Sequence, residues 1–151
     1  MNPLLIAVLL FQTPFIQSSN SLYMVCRSDG THTVTERSSG EVIQETTPEE
    51  FVMFNVDLTR NRIRSHKESK WNDIQVKGNS IVQEYKGVKQ GIQANMYGEV
   101  PLNLPGPFLM NASFTNDQVK YQARSEGECR EIDSTTWNEG VEMFNNARST
   151  S

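Results

Sequence analysis

Histidine and cysteine are scarce in this chain, two of each in 151 residues, and that scarcity excludes several chemistries. Cys26 and Cys129 form no CxxC, and His32 and His66 stand far apart, so the paired ligand spacing of a structural zinc site is missing and no metal is expected. Gly78, Gly87, Gly91 and Gly98 are spaced as turn punctuation, with neither GxGxxG nor a P-loop Lys-Ser/Thr. No nucleotide or other cofactor follows from them. The GxSxG elbow of an α/β-hydrolase is absent as well, and no catalytic residue is assigned. Residues 4–11 (LLIAVLLF) are an uninterrupted apolar run of only 8, whereas a helix needs roughly 20 to cross a hydrocarbon core. A basic excess is missing too. With Lys+Arg 14 against Asp+Glu 18, a net charge of -4 and a pI near 5.2, the chain lacks the concentrated positive face that phosphate-backbone binding requires, so nucleic acid is not an expected partner.

What fills the composition is neutral polarity: 14 Ser, 11 Thr, 13 Asn and 9 Gln, together 47 residues. The length fits one compact domain. Residues 1–21 have the layout of a signal peptide, a short apolar run followed by Gln12, Thr13 and Pro14 and then Ser18, Ser19, Asn20 and Ser21. Small residues before the cut place cleavage after Ser21, with the bond after Ser19 as second choice; the first stretch carries no Lys or Arg, an atypical feature. The expected location is secreted or periplasmic, with no transmembrane segment in the mature chain. In an oxidising compartment the two cysteines have a single pairing, Cys26 with Cys129. Closing so long a loop constrains the unfolded chain by about 4 to 5 kcal/mol in the entropy model.

From residue 22 onward, short segments alternate apolar and polar positions between turn residues, which predicts a mainly β fold. Residues 22–28 read as a first strand ended by an Asp29-Gly30 turn, with 31–37 pairing back. Thr47-Pro48-Glu49-Glu50 suits at most one helical turn. Val52, Phe54, Val56 and Leu58 share one face, and Ile63 returns inward from a turn at 59–61. Residues 72–77 and 80–85 form the next pair around Gly78-Asn79, and Gly87 and Gly91 bracket a connection. Ile92, Ala94 and Met96 share a face before Gly98. The proline-rich stretch 101–107 is expected as a loop outside the central sheet. Phe108, Met110, Ala112 and Phe114, then Val119, Tyr121 and Ala123, give the last two strands. The expected architecture is a single antiparallel β-barrel or strongly curved sheet of about 7–9 strands over residues 22–151, with a disulfide tying the first strand to the last. A short helix at 136–147 follows from a Thr136-x-x-Glu139 capping box and the stripe Trp137, Val141, Phe144, with Gly140 as its weak point.

Functional signals are few. Trp71, Tyr85, Tyr97 and Tyr121 fall on or beside strands, and Trp71, Tyr85 and Tyr97 form a candidate binding face if Tyr85 and Tyr97 point the same way. Arg60, Arg62, Arg64, Lys67 and Lys70 gather positive charge that suits either an anionic partner or a solvated sheet edge. Glu49, Glu50, Glu126, Glu128 and Glu131 offer carboxylates for a hydrolytic pair, or are simply solvated charges. The two histidines sit in polar, turn-rich contexts and are expected to be exposed.

The segments YMVCRSDG, FNVDLTRNRI, IQANMYGEV and EGEC together resemble small exported bacterial or bacteriophage-encoded β-proteins of unknown function. That resemblance implies an exported β-domain and transfers no catalytic residue. A lipocalin is similar in architecture only, because the Gly-x-Trp signature is absent. Three functions follow as expectations: a non-enzymatic domain that binds a partner protein or cell-envelope component through a sheet face or the 101–107 loop; a carrier of a small apolar ligand in a barrel interior; and a carboxylate-dependent hydrolase.

Overall fold

A computed structural model describes residues 20–150. It consists of ten strands and one helix: β1 (Ser21–Glu36), β2 (Val42–Thr46), β3 (Glu49–Asp57), β4 (Arg62–Ser65), β5 (Asn72–Asp73), β6 (Gln75–Lys77), β7 (Ser80–Lys89), β8 (Ile92–Pro101), β9 (Gly106–Thr115), β10 (Val119–Glu131) and α1 (Ser134–Ser149). Nine strands follow the order β5-β4-β3-β1-β10-β9-β8-β7-β6, all antiparallel, and β2 pairs with β1. The two ends of that order, β5 and β6, are separated in the chain by Ile74 alone. Neighbours in sequence cannot lie far apart in space, so the sheet curls until its ends approach each other and the barrel is nearly closed, with no pairing between β5 and β6.

Alternation along the strands then decides what lies inside. Met24, Cys26, Val56, Ile63, Ile74, Ile81, Val100, Phe108 and Cys129 form one buried cluster at the closed end. Residues 101–107 do not stand apart from the sheet as a free loop. Pro101 ends β8, Pro107 lies in β9, and Leu102 and Leu104 between them pack against this cluster, so the segment covers the floor of the barrel. Prolines are tolerated because they fall at strand ends, where ladder donors are dispensable. The disulfide joins directly opposed residues of β1 and β10, with a Cα–Cα distance of 3.9 Å and both side chains wholly buried.

Several local expectations need correction. Asp29-Gly30 is not a turn: β1 runs straight through it, paired with β10 from Met24–Glu131 to Glu36–Val119. Gly30 is there because a Cβ would come within 2.9 Å of Ser125 Oγ. Residues 47–50 make no helical turn, since Glu49 and Glu50 already belong to β3. The stretch 72–77 splits at Ile74, the point of closure, which turns Val76 outward. Gly87 lies within β7, and the hairpin turn falls at Gln90-Gly91, both with positive φ as a two-residue turn requires.

Helix α1 is longer than expected and is capped by Asp133, whose carboxylate accepts the Thr136 amide at 2.7 Å; Thr136 is therefore not the cap. It packs on the outside of the barrel against β1, β3 and the turn after β4. Trp137 is buried beside Tyr23, with ring centroids 6.0 Å apart. Gly140 lets the helix approach until the Met53 methyl occupies the space a Cβ would take, so the residue expected to weaken the helix is where it docks.

His66 lies at the same junction, buried rather than exposed. Its ring stacks on Phe51 and meets Phe144 edge-on, each at 5.7 Å, while its Nδ1 accepts the Met53 amide at 3.0 Å. Burial, helped by the nearby Lys67 ammonium, holds its pKa below the usual imidazole value. The unfolded chain therefore takes up the proton first as pH falls below about 6.5, and folding stability drops by at most about 1.4 kcal/mol per pH unit in that interval. Urea midpoints measured between pH 7.5 and pH 5 should fall in the wild type and change less in His66→Gln. Equal slopes for the two proteins would contradict this role.

Candidate functional site

The inward side chains do not fill the barrel above the buried cluster. A cavity of about 270 Å³ remains, lined by residues from both ends of the strand order. Val52, Phe54 and Ile63 from β3 and β4 face Ile81, Val100 and Phe108 from β7, β8 and β9, with Gly98 and Met110 in the wall between them. Polar groups concentrate at the rim, where Ser28, Glu50, Ser65, Lys67, Glu68 and Gln83 join the lining. The arrangement is an apolar chamber with a charged mouth.

The barrel also has a side opening. β6 pairs only with Ser80–Val82 of β7, so the rest of β7, from Gln83 to Lys89, has no partner on that edge. Between it and residues 68–73 lies a second concavity of about 430 Å³, which shares Glu68, Gln83, Gly98 and Met110 with the inner chamber. Above this point β2, β1, β10, β9, β8 and β7 continue as an open sheet. Its inner face carries Tyr85, Met96, Phe114 and Tyr121; Phe114 and Tyr121 are 5.9 Å apart and the Tyr121 hydroxyl lies 3.1 Å from His32 Nδ1. Glu50 Oε1 is 3.8 Å from His32 Nε2, too long for a hydrogen bond.

Of the expected binding face, Tyr85 and Tyr97 both line the side opening, whereas Trp71 is set apart from them. Tyr85 faces inward opposite Met96, whereas Tyr97 faces outward opposite Glu84 and donates to Glu99 at 3.1 Å. Adjacent positions on paired strands alternate faces, so the two tyrosines reach the side opening from opposite faces of the sheet at its β7 edge. That hydrogen bond, with burial and the Glu99 charge, raises the Tyr97 pKa. Trp71 lies on another side again, beneath the guanidinium groups of Arg62 (4.3 Å) and Arg64 (5.0 Å). Arg64 also reaches the Trp137 ring at 5.6 Å, and Arg62 pairs with Asp57, whose pKa is lowered: its hydrogen bonds and the charges of Arg62 and Arg60 outweigh the cost of burial. Arg62 and Arg64 are thus engaged in pinning Trp71 and the helix to the wall, while Arg60 stays largely exposed.

The carboxylates divide in the same way. Glu49 faces outward beside Asp29 and Glu126, Glu50 faces the chamber, and Glu126 and Glu128 are each paired with an arginine two positions along β10. Among the described residues no group of three or more His, Cys, Asp or Glu is placed to hold a metal ion. Ser21 opens β1 opposite Asp57, and Asn20 donates to Thr59 at 2.6 Å and accepts the Leu58 amide, so cleavage after Ser19 would retain both. The remainder of the expected signal segment lies outside the described residues.

Glu68 and the opening itself had no signature in the sequence. Inward alternation was readable at Val52, Phe54 and Ile63, but whether opposed walls meet or leave a space depends on barrel circumference, which alternation does not encode. No helix among the described residues is long and apolar enough to cross a membrane. Searches against protein-family models, curated proteins and solved structures gave no match for this chain.

Proposed function

We propose that the protein is an exported, non-enzymatic binding protein that holds a small ligand with an apolar body inside the barrel. The observation that carries this reading is the chamber, apolar in its depth, polar at its rim and continuous with a side opening. Its volume of about 270 Å³ is just below the roughly 300 to 1,000 Å³ typical of small-molecule sites, which suits a small ligand. A buried disulfide supports the exported location, since such bridges persist in oxidising compartments. Docking of a partner or cell-envelope component on a sheet face would use the opposite surface, where Thr33, Gln122, Ser113 and Asn95 form a polar row across four strands. The interior is preferred because it offers apolar area enclosed on several sides, the main source of affinity for a small ligand.

Gly98 gives a direct test. It faces the chamber between Gln83 and Met110, its φ is not positive, and a Cβ there would meet nothing within 4 Å. Gly98→Leu should therefore fill the space without straining the backbone. The neutral fluorophore N-phenyl-1-naphthylamine is expected to bind the wild type saturably and the variant at least about tenfold more weakly, with thermal unfolding little changed. Equal binding to both proteins, or none to the wild type, would refute the reading.

A further inference from the structure

The rim chemistry narrows the ligand. Glu50 and Glu68 both line the chamber, and among the described residues neither is paired with a lysine or arginine: Glu50 has only the distant His32 ring, and Glu68 accepts one long bond, 3.3 Å, from Asn72. On the outer face, by contrast, Glu84, Glu126 and Glu128 each have a basic partner beside them on the same strand. The side opening adds Asp73 and Glu84 to its lining. Lys86 at 3.1 Å neutralises Glu84, so Glu50, Glu68 and Asp73 stand against one cation in the two linings, Lys67, for a formal charge of -2. Charge of one sign beside a low-dielectric wall focuses the field at the opening and attracts the opposite charge.

We infer that the chamber takes an organic ammonium ion, a primary amine carrying an apolar chain or ring, with the ammonium at Glu50 and Glu68 and the apolar part against Phe54, Ile81, Val100 and Phe108. The inference rests on the binding reading above. An ammonium has three donors and no acceptor, which matches carboxylate oxygens short of donors, and the apolar part displaces water from a lining that gives it few hydrogen bonds. A carboxylate-headed ligand of the same shape would meet Glu50 and Glu68 as like charges, with Lys67 alone to offset them. A neutral alcohol gains the apolar contact without the ion pair.

Three probes of equal chain length separate these cases: octylammonium, 1-octanol and octanoate, each titrated at low and moderate salt and followed by amide chemical shifts. Octylammonium should bind at least about tenfold more tightly than octanol, and octanoate more weakly than either. The preference should shrink as salt rises, because the rim is partly open to solvent. In the double variant Glu50→Gln, Glu68→Gln the amine should lose at least about tenfold while octanol is unchanged, which also shows that the barrel still folds. If octanol or octanoate equals the amine in the wild type and all are lost in Gly98→Leu, the ammonium assignment is overturned and the binding reading stands. If none of the three binds the wild type, both fall.

Discussion

Loss of the disulfide through the pair Cys26→Ala and Cys129→Ala is expected to lower folding stability by about 4 kcal/mol, within the roughly 2 to 5 kcal/mol range for removing native bridges from small domains. The bridge spans a sequence separation of 103 residues, so without it the unfolded chain regains the freedom of a very long loop. For a domain whose total stability is of order 5 to 15 kcal/mol, that is a large share. The native arrangement should nevertheless survive, because β1 and β10 are held by thirteen opposed residue pairs whether or not the sulfurs are joined. Urea unfolding of the wild type with and without reductant, set beside the double alanine variant, measures the effect. A loss under about 1 kcal/mol would mean that the unfolded chain is already compact around these positions.

Trp137→Ala is expected to be nearly as severe, about 3 to 5 kcal/mol, the usual range for truncating a buried large aromatic. Trp137 is 3 % exposed and contacts Tyr23 and Arg64. Its ring is the largest apolar surface that α1 contributes, and the helix by itself is marginal in water at 16 residues. The variant should therefore lose helical signal and release Met53 and His66 to solvent while the strand ladder persists. Amide exchange would separate the outcomes: fast exchange confined to residues 134–149 and the outer positions of β3 supports a docked helix, whereas uniform acceleration would show that the helix is part of one cooperative unit with the barrel.

Much of the sheet was legible because alternation is a local signal. Phe108, Met110, Ala112 and Phe114 read as one face and lie on one face, and Cys26 opposite Cys129 followed from there being a single pairing. The errors share a cause. Gly30 and Gly87 looked like local punctuation and Gly140 like a weak point in the helix, but Ser125, the Tyr85 ring and Met53 occupy the space a side chain would need at those positions. Distant neighbours, invisible in a linear reading, decided them. His66 failed similarly: polar flanking residues suggested exposure, while Phe51 and Phe144, 15 residues before it and 78 after it, enclose the ring. The chamber depends on the distance between opposed walls, and on Glu68 in a segment with no periodicity at all.

Among the described residues the first strand, β1, lies at the centre of the sheet, between β3 and the last strand, β10. During synthesis one edge of β1 therefore has its permanent neighbour only after residue 131 has been made, and until then its hydrogen-bonding groups remain an open template. Contacts of such long sequence separation make folding slow relative to local structure. A nascent chain built in this order stays unlocked until β10 is available. The same delay exposes the chain to mispairing with its neighbours, so the order of strands makes the folding of this domain depend on what surrounds the incomplete chain.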